Sequence, residues 1–429
     1  MRDVPQNLSA TRRRAFGRRA LVALLMLCAC GPREVTTRLS AEQWREDLRH
    51  LARELPRRHA NAFHAVSRER FEAEVARTDA ELPRLDADQS LVALMRVVAL
   101  VGDGHTHLDL PPSWPRYPLE LHWFGDELRV AAAAAPYHAA LGARVRGVGD
   151  APLDEALRRA AELVPRAEND ARTRLAATQL LTSPAVLRGL GLARGGEAAT
   201  FVLETDDGAR AATSISPAPP GDFASWRLAC GDACPLYLRR LGEPWWAEFL
   251  PEAGAVYFSF SRYPPEGEFR ERAEALGRLL DETGARRLVI DLRRNEGGDF
   301  DRFRRLLVPV IESRPGVGRA GGLYVITGPG TFSAAVVNAL DLRQRAGATL
   351  VGEPTGMRPA HYGDHGEFRL PRSGFRVSYA TRYHRFGPEA ETAVHPDRLV
   401  RPTWEDFRAG RDPALEWVLA QGAAPGPPR

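Results

Sequence analysis

The sequence contains no lysine: all 59 of its basic residues are arginine. An arginine side chain stays protonated in proteins, with a pKa above about 12, so the chain has no side-chain amine that could act as a general base. The formal net charge of +4 is small for 429 residues. Because no stripe of basic residues stands out, we expect no nucleic-acid partner.

Cysteine is also scarce, with four in the chain, two of which, Cys28 and Cys30, lie near the start. The other two, Cys230 and Cys234, stand in Cys-Gly-Asp-Ala-Cys. In an oxidising compartment such a pair can form a small disulfide loop. A metal site would need further ligands, and no histidine is near. We therefore expect a disulfide, and no metal or other cofactor.

Long apolar runs are missing as well. The run from Ala20 to Leu27 follows several arginines and is shorter than the about 20 residues that span a bilayer. It ends in Leu27-Cys28-Ala29-Cys30, which resembles the lipobox of bacterial lipoproteins and implies lipid attachment to Cys30. A plain signal peptide is the alternative, and Arg13-Arg14 leaves Sec and Tat export open. We expect an exported, lipid-anchored protein of the cell envelope that faces the periplasm or the exterior.

Hydrophobic periodicity divides the rest of the chain. Apolar residues recur at helical spacing between 40 and 101, short strands follow, and the last 200 residues alternate strand and helix, which predicts an α/β sheet with crossover helices. The stretch 142–153 resembles part of a PDZ domain. We predict a signal peptide at 1–29, an N-terminal helical region at 30–110, a PDZ-like β-rich domain at 111–217, an α/β core at 218–421 and a disordered tail at 422–429.

Ser333 follows an apolar strand and the turn Gly328-Pro329-Gly330, at the point where a helix begins. A serine there can cap the helix by accepting a bond from a free backbone N–H. It can also be a nucleophile, because the unpaired N–H groups of a helix N-terminus stabilise an oxyanion. From this segment alone, the cap is the favoured interpretation.

Two further segments carry candidate chemistry. Gly297 and Gly298 follow a buried strand, and glycines let backbone N–H groups approach a ligand closely. They form either a tight turn or the second donor of an oxyanion hole. His105 follows Gly102-Asp103-Gly104, and it is either a structural histidine or one that a loop presents to a substrate.

Together these segments resemble the tail-specific (C-terminal processing) proteases, and more closely the tricorn-like and retinoid-binding-protein-like branch. The resemblance implies a ClpP/crotonase-like protease core and serine peptidase activity on peptides or unfolded proteins of the envelope. The matching segments, in family order, are His59-Ala-Asn-Ala-Phe63, Gly102-Asp-Gly-His-Thr106, Glu168-Asn-Asp170, Ile290-Asp-Leu-Arg-Arg-Asn-Glu-Gly-Gly298, Thr331-Phe-Ser-Ala-Ala335, Val351-Gly-Glu-Pro-Thr355 and Gly410-Arg-Asp-Pro413.

The resemblance also implies roles for single residues. Ser333 becomes the nucleophile, and the oxyanion hole consists of the Ala334 N–H and one N–H from Gly297 or Gly298. Removing one such donor typically costs about 10²–10³ in rate.

The general base is implied by a position at which this sequence differs from many members of the family. Many tail-specific proteases use a serine–lysine dyad, but the lysine position falls at Arg358, which cannot accept a proton. The tricorn-like branch uses histidine, and His105 fits that role because imidazole titrates near neutrality. A glutamate before 394–397 is implied as the residue that orients the imidazole; we prefer Glu391 to Glu389.

Two other functions compete. Asp103-Gly-His105-Thr-His107 is similar to the metal-binding Asp-x-His-x-His of amidohydrolases, but no histidine occurs between His138 and His361 to complete such a site. The stronger alternative is an inactive envelope lipoprotein of the same fold that binds peptides or an apolar ligand. The sequence does not predict an oligomeric state.

Overall fold

The computed structural model describes residues 35–165, 168–194, 196–221, 225–314, 316–317 and 321–421. The predicted signal segment with Cys30 and the predicted tail at 422–429 lie outside these residues. Within them, no helix combines the length and the apolar character needed to cross a bilayer.

Three helices open the fold: α1 Ala41–Arg58, α2 Arg68–Glu81 and α3 Ala87–Ala99. α1 begins at Ser40 because its side chain accepts the Gln43 N–H while the Gln43 side chain accepts the Ser40 N–H, a reciprocal cap. The helix buries one stripe, which consists of Trp44, Leu48, Leu51 and Leu55 together with Asp47 and Glu54. The loop that carries His105 starts where α3 ends.

A β-rich layer follows the helices. Its strands are β1 His107–Asp109, β2 Leu119–Phe124, β3 Glu127–Ala134, β4 Arg144–Val148, β5 Ala151–Pro152, β6 Ala199–Glu204, β7 Arg210–Ile215 and β8 Trp226–Leu228. Its helices are α4 Leu153–Ala161, α5 Asp170–Leu180 and α6 Pro184–Gly189. Seven of these strands, β2 to β8, form one sheet, and β1 belongs to another.

The C-terminal half contains the α/β sheet. It comprises β9 Trp245–Leu250, β10 Ala255–Phe260, α7 Glu266–Thr283, β11 Arg287–Asp291, α8 Phe300–Leu306, α9 Val308–Glu312, β12 Leu323–Thr327, α10 Ala334–Ala346, β13 Thr349–Gly352, β16 Arg398–Leu399, α11 Trp404–Arg408 and α12 Pro413–Ala420. The strand order is β16-β13-β12-β11-β10-β9, parallel except at β9. Both faces are covered, so every residue of β11 and β12 is buried, and the middle of each strand is apolar.

A long hairpin between these strands crosses to the N-terminal helices. It consists of β14 Ala360–Arg369 and β15 Arg376–Arg385. β15 pairs with β1, and the turn of the hairpin donates the N–H groups of Arg372 and Ser373 to the buried Asp47 carboxylate at 2.7 and 2.8 Å. The hairpin therefore fixes the loop before β1, which carries His105, against the C-terminal half.

The predicted α/β fold class with an N-terminal helical region is confirmed. Strands at Ala255–Phe260 and Leu323–Thr327 match the prediction residue for residue, because a parallel strand buried on both faces is a short apolar run. The hairpin was missed. The division into five segments, with its PDZ-like middle domain, stays a prediction.

Candidate active site

Ser333 lies at the start of α10 in a backbone conformation that is rare for a residue with a side chain. Its φ is 51° and its ψ is −125°. Its hydroxyl makes no capping hydrogen bond to the helix. Conformations of this kind persist only where the surroundings hold them, and they are concentrated at functional sites. The cap interpretation of Ser333 is therefore wrong for this structure.

His105 is the partner of that hydroxyl. The Ser333 Oγ lies 2.8 Å from His105 Nε2, although 228 positions separate the two residues in sequence. Burial lowers the pKa of His105 to about 4, against the opposing attraction of Asp103. The imidazole is therefore neutral at pH 7, and its Nε2 lone pair accepts the serine hydroxyl hydrogen. Among the described residues, no carboxylate bonds to Nδ1 of His105, and the Tyr362 backbone favours the protonated ring.

Asn295 ties the glycine loop to the serine loop. Its Oδ1 accepts the Gly297 N–H at 2.9 Å, and its backbone carbonyl accepts the Phe332 N–H at 3.0 Å. Its Nδ2 donates to the Phe260 carbonyl at 2.8 Å. A wholly buried amide with these bonds fixes both loops relative to β10.

The two predicted glycines differ in what their N–H groups do. The Gly297 N–H is occupied by Asn295, whereas the N–H groups of Gly298 and Ala334 have no partner within the described part of the chain. Both of these residues line the cavity beside Ser333. Gly297 instead supplies close approach, since a Cβ built on it would stand 2.6 Å from the Ser333 Cβ.

The cavity beside the serine has a volume of about 450 Å³. His361 lies in its wall, buried, and burial lowers the pKa of this histidine to about 3. Because His361 Nδ1 donates to the Arg358 carbonyl at 3.0 Å, Nε2 of this neutral ring carries a lone pair. Phe300 and Val337 add apolar surface. The cavity thus places an acceptor and apolar walls next to the nucleophile.

Comparison with known sequences found no matching family model and no matching curated protein. Solved structures do match. CPAF complexed with lactacystin shares 13% identity at a TM-score of 0.58, over 88% of this chain and 97% of that one. The photosystem II D1 C-terminal processing protease shares 16% at 0.39, over 88% and 99%. Tricorn protease shares 15% at 0.44, over 88% and 36%. All three are tail-specific proteases.

This chain has the tail-specific protease fold. The likeness to CPAF covers nearly the whole length of both chains, so it includes the helices, the β-rich layer and the α/β sheet. At this identity it shows the fold alone, and the reaction depends on the residues of the site.

Within the tail-specific protease fold, one predicted site residue lies elsewhere. Glu391 is exposed, and it forms no hydrogen bond or ion pair with His105. Its neighbour Glu389 is also exposed and lies 3.7 Å from Arg385. The expectation that Glu391 orients the imidazole is therefore wrong here, because the segment before Val394 keeps its carboxylates in solvent.

The structure also shows the contacts of the other residues that the sequence singled out. Cys230 and Cys234 form a disulfide. His107 pairs with Asp109 at 3.0 Å and is about half exposed, so it does not share a ligand site with His105. No group of three or more potential metal ligands occurs among the residues that the structure describes.

Sequence reasoning missed Asn295 and His361 as contributors to the site, and it left Glu168 without a role. Asn295 lies in the segment 290–298, between two arginines and a glutamate, and these charged neighbours predict that its amide is at the surface. Only the meeting of the two loops shows that it is buried. For His361, the sequence of β14 offered no signal, since neither its apolar residues nor its burial alternates along the strand.

Proposed function

We propose that the protein is an exported, lipid-anchored serine peptidase that hydrolyses peptides or unfolded proteins of the cell envelope through an acyl-enzyme on Ser333. The observation that carries this is the 2.8 Å contact between Ser333 Oγ and His105 Nε2, made by a serine that does not cap its helix. A neutral imidazole bonded to a serine hydroxyl at the mouth of a cavity is the arrangement of nucleophile and general base.

The reaction follows from these positions. Ser333 Oγ attacks the scissile carbonyl carbon while its proton passes to His105 Nε2. The carbonyl oxygen becomes an oxyanion, which the N–H groups of Gly298 and Ala334 stabilise. His105 then gives the proton to the leaving amine, and the C–N bond breaks. A water molecule attacks the ester in the same way, with His105 again taking and returning the proton, and frees the acid.

Burial shapes the energetics of the base. A pKa of about 4 means that the imidazolium ion is disfavoured in the resting site. The charge forms only as the oxyanion develops beside it, and the buried carboxylate of Asp103 also favours it. The site therefore stabilises the charged histidine mainly in the transition state, where the opposite charge is present.

Labelling with a fluorophosphonate probe tests this function. Wild type and Ser313→Ala, which alters an exposed serine at the end of another helix, are expected to be labelled at equal rates. Ser333→Ala is expected to show no labelling and a casein turnover reduced by several orders of magnitude, with a melting temperature close to that of wild type. Turnover by a pure Ser333→Ala protein above a few per cent would refute the nucleophile. Because a CPAF structure contains lactacystin, that compound serves as a competitor of labelling.

One observation favours a second function, an inactive lipoprotein that binds peptides or an apolar ligand. No carboxylate of the described residues bonds to His105 Nδ1, so none stabilises the imidazolium by direct contact. Tight binding of a peptide in the cavity by wild-type protein that resists the probe would support this alternative over the peptidase.

A further inference from the structure

Two buried carboxylates hold the loop that presents His105, and neither bonds to the imidazole. Asp103 lies two residues before His105, and Glu168 reaches the loop from the segment before α5. Their exposed fractions are 2% and 3%. Buried carboxylates without a lysine or arginine bonded to them are rare, because burial penalises the charge unless hydrogen bonds compensate for it.

Asp103 accepts three hydrogen bonds. Its Oδ1 accepts the His105 N–H at 3.1 Å and the Thr106 hydroxyl at 3.0 Å. Its Oδ2 accepts the Nε2–H of His59 at 2.9 Å. The tautomer of His59 is fixed, because its Nδ1 accepts the Asn61 N–H at 2.9 Å and the proton must stand on Nε2. Burial raises the pKa of Asp103, but the bonds from His59 and Thr106 outweigh it and leave the pKa lowered.

Glu168 joins the same loop to a second one. Its Oε1 accepts the Gly104 N–H at 3.0 Å, and its Oε2 accepts the Arg358 N–H at 3.4 Å. The carbonyl of Arg358 accepts the Nδ1–H of His361. One carboxylate therefore sets the position of both imidazoles of the cavity, His105 through the preceding residue and His361 through Arg358.

The ring of His105 is held by packing. Its centroid lies 5.1 Å from that of Phe332 and 6.2 Å from that of His361. The loop approaches so closely that a Cβ built on Gly104 would stand 2.6 Å from the Phe332 ring and 3.2 Å from Glu168 Cγ. With the ring packed in this way, a small shift of the loop backbone carries Nε2 away from Ser333.

We propose that Glu168 and Asp103 are positioning residues that keep His105 Nε2 at Ser333 by binding the backbone of the His105 loop. Glu168 thereby performs the orienting task that the resemblance to tail-specific proteases implied for Glu391, although it acts on the loop and not on the ring. The inference rests on the proposed peptidase function, because only a reaction at Ser333 depends on this distance.

Glu168→Gln tests the inference, since it keeps the shape of the side chain but replaces one acceptor oxygen by an NH₂ group. We expect its rate of fluorophosphonate labelling to fall about 10²-fold, the loss typical of a misplacement of about 1 Å. The control is Glu353→Gln, because burial also raises the pKa of Glu353 but its carboxylate makes no bond to the loop. Its labelling rate is expected to stay within about twofold of wild type.

The pH profile separates positioning from a general structural role. Burial raises the pKa of Glu168 to about 7; the hydrogen bond from the Gly104 N–H opposes this rise, repulsion from Asp103 adds to it, and Arg358 opposes it. The ionised carboxylate accepts the backbone N–H groups of Gly104 and Arg358. The wild-type labelling rate is therefore expected to rise with pH through about 7, in addition to a rise near pH 4 where His105 loses its proton. Glu168→Gln is expected to lack the step near pH 7, and Glu168→Asp to recover it in part.

Three outcomes decide the matter. Labelling of Glu168→Gln at the wild-type rate, or a loss that follows the unfolded fraction in melting curves, would overturn the positioning role. Wild-type protein that resists the probe would defeat the proposed peptidase instead. In that case NMR titration of His105 still decides the inference, because an imidazole pKa unchanged by Glu168→Gln would show that Glu168 does not position the ring.

Discussion

Replacing Gly297 by alanine is expected to lower the activity by at least about 10²-fold by displacing Ser333. Gly297 has a φ of 111°, and a Cβ built there would stand 2.6 Å from the Ser333 Cβ, 2.9 Å from the Ala334 nitrogen and 3.0 Å from the Phe332 carbonyl oxygen. None of these atoms can rotate away, because two belong to the backbone and the third is bonded directly to it. Either the glycine loop or the start of α10 must therefore move.

The magnitude has two parts. A strained backbone conformation costs about 1–3 kcal/mol, and overpacking adds about 1–3 kcal/mol, so we expect a loss of about 2–6 kcal/mol in the free energy of unfolding. A normal contact requires a shift of roughly 1 Å, which typically costs about 10² in rate. Misalignment of the neighbouring Gly298 donor would add a further loss of up to about 10²–10³.

The matched control is Gly284→Ala. Gly284 also has a positive φ, 60°, at the end of α7, but a Cβ there meets nothing within 4 Å. It should cost about 1–2 kcal/mol of stability and leave labelling unchanged. Urea unfolding gives the stability of both variants, and fluorophosphonate labelling at a temperature where each is folded gives the activity. A folded Gly297→Ala protein labelled at the wild-type rate would refute the steric reasoning.

Three further predictions concern the base, the core and the anchor. Because burial lowers the pKa of His105 to about 4, the activity that remains below the Glu168 step near pH 7 should disappear as the pH falls through about 4, and His105→Ala should lose about 10²–10⁴ in turnover. Arg293 bonds the buried carboxylates of Asp291 and Asp412, so Arg293→Ala should lose about 3–5 kcal/mol in urea unfolding; a loss below about 1 kcal/mol would contradict the pairing. Cys30→Ala should release the protein from the membrane, and continued incorporation of radioactive palmitate would disprove the anchor.

Local patterns predicted the elements that position the nucleophile. β12 is a run of five buried residues, and the Gly-Pro-Gly turn after it marks where the chain reverses. By contrast, the meeting of Ser333 with His105 could be expected only from the resemblance to tail-specific proteases. No spacing rule connects residues that are 228 positions apart in the sequence. Their contact in space depends on the hairpin of β14 and β15, because β15 pairs with β1 next to the His105 loop.

The hairpin itself had a signal in the sequence. Apolar residues alternate with polar ones around Pro371-Arg-Ser-Gly374, which is a turn sequence. Phe368 and Val377, on either side of it, pair across the hairpin and are buried against the N-terminal helices. The signal was overlooked because β14 and β15 are rich in histidine and arginine. Such polar sequences are typical of loops, so the strands are recognised only when their partners in the sheet are known.

The role of Glu168 could not be read from the sequence, because its neighbours Asn169 and Asp170 mark it as part of a polar surface segment. The structure shows a buried group whose pKa is about 7 in place of 4.5. Between these two values the native state binds a proton that the unfolded state has lost, so stability falls as the pH rises through this window. At neutral pH and above, the ionised carboxylate therefore destabilises the fold by about 3 kcal/mol. Glu168→Gln removes that penalty and should melt no lower than wild type at about pH 8, even as labelling slows. Glu168 thus lowers the stability of the fold while it positions the His105 loop. Such a trade of stability for activity is common at residues that serve a reaction.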